Sequence, residues 1–186
     1  VARGPEQFRQ KAEQAVTGGA DLLKIIASGA VLAFGGVPGE REMLPEEIKA
    51  VVDVAHAHGV KVAAHAHGAQ SIKDAILAGA DTIEHASLID DEGIALAREH
   101  NIALSMDIYN TEYTQTEGPK RGELEEFLGK DREVAQAQRD NFRKAVQKGI
   151  KLTMGTDTGV HPHQDAPRQL AFMVQYGMTP MQAIQA

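Results

Sequence analysis

The sequence predicts an α/β protein: an arc of a (β/α)8 barrel, about the last five βα units (strands four to eight), on a parallel sheet. Three observations predict it. Amphipathic helices alternate with short apolar strands five times along the chain. A Gly or Asn lies between each helix and the strand that follows. Lys24, His65, His67, His85 and Asp157 stand at or just past C-terminal strand ends, where the functional residues of barrels gather. The alternation alone fits an open doubly wound sheet equally well; the placement of the polar residues favours the barrel.

Taken in order, the first unit is a helix over Pro5–Thr17, the turn Gly18-Gly19-Ala20-Asp21, and the strand Leu22–Ile26. The second is a helix over Pro45–His58, Gly59, and a strand over Val60–His67. The third is Ser71–Ala78, Gly79, and the strand Thr82–His85. Asp90–His100 and Asn101 lead into the strand Ile102–Asp107, and Asp131–Lys148 with Gly149 leads into Ile150–Gly155. Gly after a helix supplies the left-handed residue that ends it, and β-branched clusters mark strands. Two segments break the rhythm: Ser28–Leu44, rich in Gly, and the polar, charged Tyr109–Lys130. Both are expected to be long loops that shape a pocket above the sheet. Thr179 reads as an N-cap with Pro180 at the first helical position.

Composition excludes several classes. The 186 residues carry 19 basic and 26 acidic side chains, a net charge of −7. With a pI near 5.6, the chain lacks the basic stripe of a phosphate-backbone binder, so no nucleic-acid partner is expected. No apolar run approaches the ~18 residues of a membrane span, so no membrane partner is expected either. Absence of cysteine removes disulfide scaffolds and thiolate metal sites, and leaves the compartment undetermined. The chain opens on Val1 without a visible leader, and the final helix stops after about two turns. Residues 1–186 are therefore read as one partial catalytic barrel, with the first three βα units and the terminal helix lying outside it.

The motif Ala-His-Ala-His-Gly occurs twice, at 55–59 and 64–68. His56 and His58 fall in the last turn of a helix, where imidazole suits the negative end of the dipole, and need no catalytic role. His65 and His67 end a strand, two apart and so on one face. Side by side and buried, they call for a metal or a carboxylate between them. His85 ends the adjacent strand, and neighbouring strands lie ~4.8 Å apart, so His65 and His85 can share one divalent ion. Asp157, in Gly-Thr-Asp-Thr-Gly, can hold metal and move a proton. Lys24 stands among Leu and Ile, where a buried ammonium needs neutralising. A salt bridge is one answer, and reaction with carbon dioxide to an anionic carbamate is another.

Together these residues resemble the metal-dependent amidohydrolase superfamily. The phrases Lys-Ile-Ile-Ala-Ser-Gly, Ala-Ala-His-Ala-His-Gly, Ile-Glu-His-Ala and Gly-Thr-Asp-Thr-Gly look like its imidazolonepropionase-related branch, which contains Xaa-Pro and Xaa-Arg dipeptidases and ochratoxin-type amidases. The resemblance implies metal ligands Lys24 (as a carbamate), His65, His85 and Asp157, with two zinc ions expected in the full-length enzyme. It implies Asp157 as the catalytic base of a metal-activated hydroxide that cleaves an amide C–N bond. His67, His161 and His163 are then the expected substrate-binding residues, and the partner is a small-molecule or dipeptide-like substrate. The His-x-His of the family's first strand is absent here, so the fragment alone is expected to be inactive. Association with the missing barrel half, or a homo-oligomer, is the remaining partner expectation. The rival readings are a one-metal cyclic-amide hydrolase or deaminase, and a non-catalytic α/β binding domain in which Lys24 pairs with a carboxylate.

Overall fold

The computed structural model describes residues 2–186. Five parallel strands lie side by side in chain order: β1 (Leu22–Ile26), β2 (Lys61–Ala66), β3 (Thr82–His85), β4 (Ala103–Ser105) and β5 (Leu152–Thr153). Sequential order with every crossover helix on one face is the topology of a barrel wall, and it decides against the doubly wound alternative.

The helices are α1 (Gly4–Thr17), α2 (Pro45–Ala57), α3 (Ala69–Ala78), α4 (Asp91–Glu99), α5 (Ile108–Arg121), α6 (Glu125–Gln147), α7 (Arg168–Gln175) and α8 (Pro180–Gln185). Gly59, Gly79, Gly149 and Asn101 take positive φ after their helices, as expected. Thr179 caps α8, accepting from the Gln182 N–H at 3.2 Å while the Gln182 side chain accepts from the Thr179 N–H.

Strand alternation sorts the side chains. Leu23, Ile25, Val62, Ala64, Ile83, Leu104 and Leu152 face the helices, joining Ile48, Val51, Ile72, Ile76 and Phe142 in one core. The opposite face carries Leu22, Lys24 and Ile26 of β1, with Ile26 in register with His65. Lys24 is exposed, which corrects the expectation of burial. It stands on the inner face of an edge strand, and among the described residues no strand lies on its far side.

Residues 109–130 are the larger correction: they form α5 and the first turns of α6 rather than a loop, and α6 begins at Glu125 instead of Asp131. The buried residues of α5 are Ile108, Tyr109, Thr111, Thr114 and Gly118, so past the first turn its helical period is carried by small and polar residues. At Gly118 a Cβ would stand 2.9 Å from Leu128 Cδ2 of α6; the helices meet through that glycine. The last strand is shorter than expected, two residues, and α7 is an element that the sequence reading leaves unassigned. Residues 28–44 hold no helix or strand, only isolated bridges at Ser28–Arg41 and Gly29–Pro38.

Candidate metal centre

His65, His67 and His85 meet at the C-terminal edge of the sheet. The ring centroids form a near-equilateral triangle: 4.8 Å from His65 to His67, 4.6 Å from His65 to His85 and 4.7 Å from His67 to His85. The chain reaches this arrangement by two routes. His65 and His67 follow the strand period, and the Ser28 hydroxyl accepts the His67 N–H at 2.8 Å. His85 breaks that period. It is in register with Ala66, so alternation would aim it at the helices with Ile83. Its backbone instead turns left-handed (φ 68°), as does Ala86 (φ 47°), and the ring swings onto the inner face. Such conformations in non-glycine residues cost on the order of 1–3 kcal/mol each and persist where the surroundings enforce them. Asp157 is a further case, at φ 49°.

Behind His85 lies Asp107, which the sequence reading placed at a strand end but did not select. Following Ala103 and Ser105, it sits at the inner-face position by the same period of two that selects His65. Its Oδ1 accepts from His85 Nδ1 at 3.0 Å and from the Gln138 amide at 3.0 Å, and its Oδ2 accepts from the Asn110 amide at 2.9 Å. The Asn110 amide also reaches Asp157 Oδ2 at 3.2 Å, tying the two carboxylates together. Asp107 thereby fixes the His85 tautomer that leaves Nε2 free, the arrangement found behind metal-bound imidazoles. Ser87, Asn110 and Gln138 likewise escape a reading of motifs, since only the fold brings them to the site.

The electrostatics follow from burial. His65 is lowered to about 4, by burial first and then by the nearby His85 and Lys24 charges. His67 is lowered to about 3, by burial and by His85 and His65. Both are neutral at pH 7, the form that ligates metal. His85 moves the other way: burial opposes its charge, but Asp107 raises it through charge and hydrogen bond. Asp107 is desolvated, yet facing His85 holds it well below the usual carboxylate range.

These residues fit a divalent ion. One potential ligand atom from each of His65, His67 and His85 lies within 4.8 Å of the others, and the same holds for His85, Asp107 and Asp157. His65 Nε2 is buried without a hydrogen-bond partner, an arrangement that costs free energy unless something coordinates it.

A cavity of about 170 Å³ opens onto the cluster, lined by Lys24, the three histidines, Asp107 and Asp157, by Val31 and Leu32 of the β1–α2 loop, and by Asn110, Thr114, Asp131 and Gln138 of α5 and α6. Both segments expected to shape a pocket do so. The loop is seated by backbone contact: at Gly68, directly after His67, a Cβ would lie 2.1 Å from the Gly39 oxygen. His161 and His163 are not among the residues lining this cavity. His161 is buried beneath the Asp157 loop, its ring nitrogens 2.9 Å from the Thr156 oxygen and 3.1 Å from the Pro162 oxygen, and His163 is exposed on a single 3-10 turn. His56 and His58 lie away from the cluster, paired with Asp81 and Glu13.

The chain is similar to known proteins along its whole length. Ochratoxinase of Aspergillus niger is 31% identical over 188 residues, covering all of this chain and 38% of that protein. A crystal structure of a Xaa-Pro dipeptidase with bound methionine in its active site superposes with a TM-score of 0.92 at 36% identity, over 100% of this chain and 46% of that one. The crystal structure of A. niger ochratoxinase gives 0.88 at 31% identity, over 100% and 42%. The chain thus spans less than half the length of these relatives. The amidohydrolase family profile matches residues 2–186, and the chain belongs to that family.

Proposed function

We propose that this chain is the C-terminal part of an amidohydrolase catalytic barrel that hydrolyses an amide C–N bond in a small, dipeptide-like substrate. The observation that carries the reading is a pair of ligand groups that share His85, one with His65 and His67 and one with Asp107 and Asp157, in which His65 Nε2 is buried and unsatisfied. His65, His85, Asp157 and Lys24 as its carbamate are the residues that would hold two zinc ions in the full-length enzyme. Lys24 lines the same cavity and shares the inner face with His65. A bound divalent ion supplies Lewis acidity and lowers the pKa of water. Asp157 takes a proton at its carboxylate and passes it to the leaving nitrogen, held in position by the Asn110 amide. His67, buried on the same face and braced by the Ser87 hydroxyl at 2.9 Å, meets the substrate's carboxylate. His161 supports the Asp157 loop rather than the substrate.

The test is metal content and turnover of the full-length protein. Two ions per site are expected, and one would replace the carbamate-bridged reading with the one-metal alternative. Asp157→Asn is expected to lower kcat on an N-acyl dipeptide by ~10²–10⁴-fold, the range of general acid–base catalysis, with a smaller loss of metal. Near-normal turnover at full metal occupancy would remove Asp157 from the mechanism.

A further inference from the structure

His161 is 2% exposed and is not among the residues lining the metal cavity. Both of its ring nitrogens face carbonyl oxygens, Nε2 the Thr156 oxygen at 2.9 Å and Nδ1 the Pro162 oxygen at 3.1 Å. A carbonyl oxygen only accepts, and a neutral imidazole has one N–H and one lone pair. A neutral ring would therefore turn its lone pair on one of the two oxygens, out of reach of water. Two N–H groups, and so an imidazolium, satisfy both contacts. The rings of Tyr109 and Tyr113 on α5 stand with centroids 5.0 and 5.8 Å away, within the ~6 Å over which an aromatic ring attracts a cation. The charged groups beside these tyrosines are paired among themselves: Glu112 with Arg139, Glu117 with Lys120, and Asp165 with Arg168 of α7. Arg121 donates to the Tyr113 hydroxyl at 2.7 Å. On the ring's own segment, His163 is exposed and Asp157 lines the metal cavity.

The two carbonyls bracket the segment that carries Asp157. Thr156 directly precedes it, Asp157 itself is left-handed at φ 49°, and its oxygen accepts the Val160 N–H at 3.2 Å. We infer that His161 is a positioning residue: donating from both nitrogens, it fastens the two ends of residues 156–162 and so sets where the Asp157 carboxylate stands. The inference rests on the hydrolase reading for the task of Asp157, and not for the state of the ring. A ring that loses one proton keeps one tie of the two, so activity falls with rising pH while the metal stays bound.

The experiment uses the full-length, metal-loaded protein with isotope-labelled histidine rings. The His161 ring is identified by through-space NMR contacts with the Tyr109 and Tyr113 rings, so the unmutated protein alone can refute the inference. Two protonated ring nitrogens are expected at neutral pH; one protonated and one bare nitrogen overturns it. kcat/KM on an N-acyl dipeptide is expected to fall at the alkaline pH where the ring signals change, with metal content constant. His161→Gln does not titrate and is expected to lower kcat about tenfold at neutral pH, the value of one hydrogen bond, and to lack that limb. A limb absent from the unmutated protein, or present in His161→Gln, overturns the inference. If no peptide is hydrolysed, the functional reading fails by itself. The inference then stands if the ring carries two protons and the Val160 amide exchanges about tenfold faster in His161→Gln, and falls if the two proteins exchange alike.

Discussion

At the scale of single residues, burial has weakened the hold of two of the site's imidazoles on a proton. His65 and His67 have folded-state values near 4 and 3, below the ~6.5 of an exposed imidazole. Their unfolded forms therefore bind protons at a pH where the folded forms do not. In the metal-free protein these two rings make stability fall as pH drops below ~6.5 towards 4, against an opposite contribution from His85, whose hold on its proton Asp107 strengthens. The urea midpoint of the metal-free protein is expected to follow that slope, and a His65→Gln, His67→Gln protein is expected to show a flatter one; equal slopes would mean that these rings are solvated. His65 and His67 were legible in the sequence because a period of two states which face they share. His85 was selected for ending a strand, and its true orientation was not legible, since alternation aims it at the helices and only the left-handed turn at φ 68° reverses it. Asp107 shows the opposite case: the period was sufficient, but one Asp after Ser-Met carries no motif.

At the scale of elements, the α5–α6 hairpin roofs the cavity. α6 sends Gln138 to Asp107 and Asn141 to the Ser87 oxygen at 2.9 Å, while Lys130 holds the Ala33 oxygen at 2.7 Å. Helices that bury Leu, Ile and Val were readable from their spacing, as α2 and α3 show. α5 was not, because past Ile108 and Tyr109 its inward face is Thr, Thr and Gly, residues that also populate loops. The close contact at Gly118 gives this a test. Gly118→Val is expected to destabilise by ~1–3 kcal/mol, the usual effect of overpacking, despite the better helix propensity of Val over Gly. Urea unfolding reads the difference, and a protein as stable as the parent would mean that the helices can part without cost.

At the scale of the whole molecule, the five strands form one wall whose inner face carries the candidate ligands and whose outer face carries the core. The candidate ligands come from β2, β3 and the segments after β4 and β5, so an ion bound there would join elements far apart in the chain. A ligand that binds only the folded form stabilises it by about 2.7 kcal/mol at a hundred times its Kd. Zinc at that ratio is accordingly expected to raise the thermal midpoint of the protein, and His65→Ala is expected to remove most of the gain; an unchanged midpoint on adding zinc would count against a preformed site. The order of the strands was legible because each crossover helix is amphipathic and ends on Gly or Asn. The exposure of Lys24 was not, since an apolar neighbourhood in sequence says nothing about which neighbours a strand edge has. The contact between Gly39 and Gly68 has a practical meaning for anyone wishing to reshape the rim of the cavity. Two backbones touch there with no room for a side chain, and the remaining ties of the tip to α6 run largely through its main chain, the Ala33 oxygen to Lys130 and the Gly35 N–H to Glu126. Randomising positions 30 to 37 while holding 39 and 68 as glycine offers a library in which the pocket rim varies and its anchorage does not.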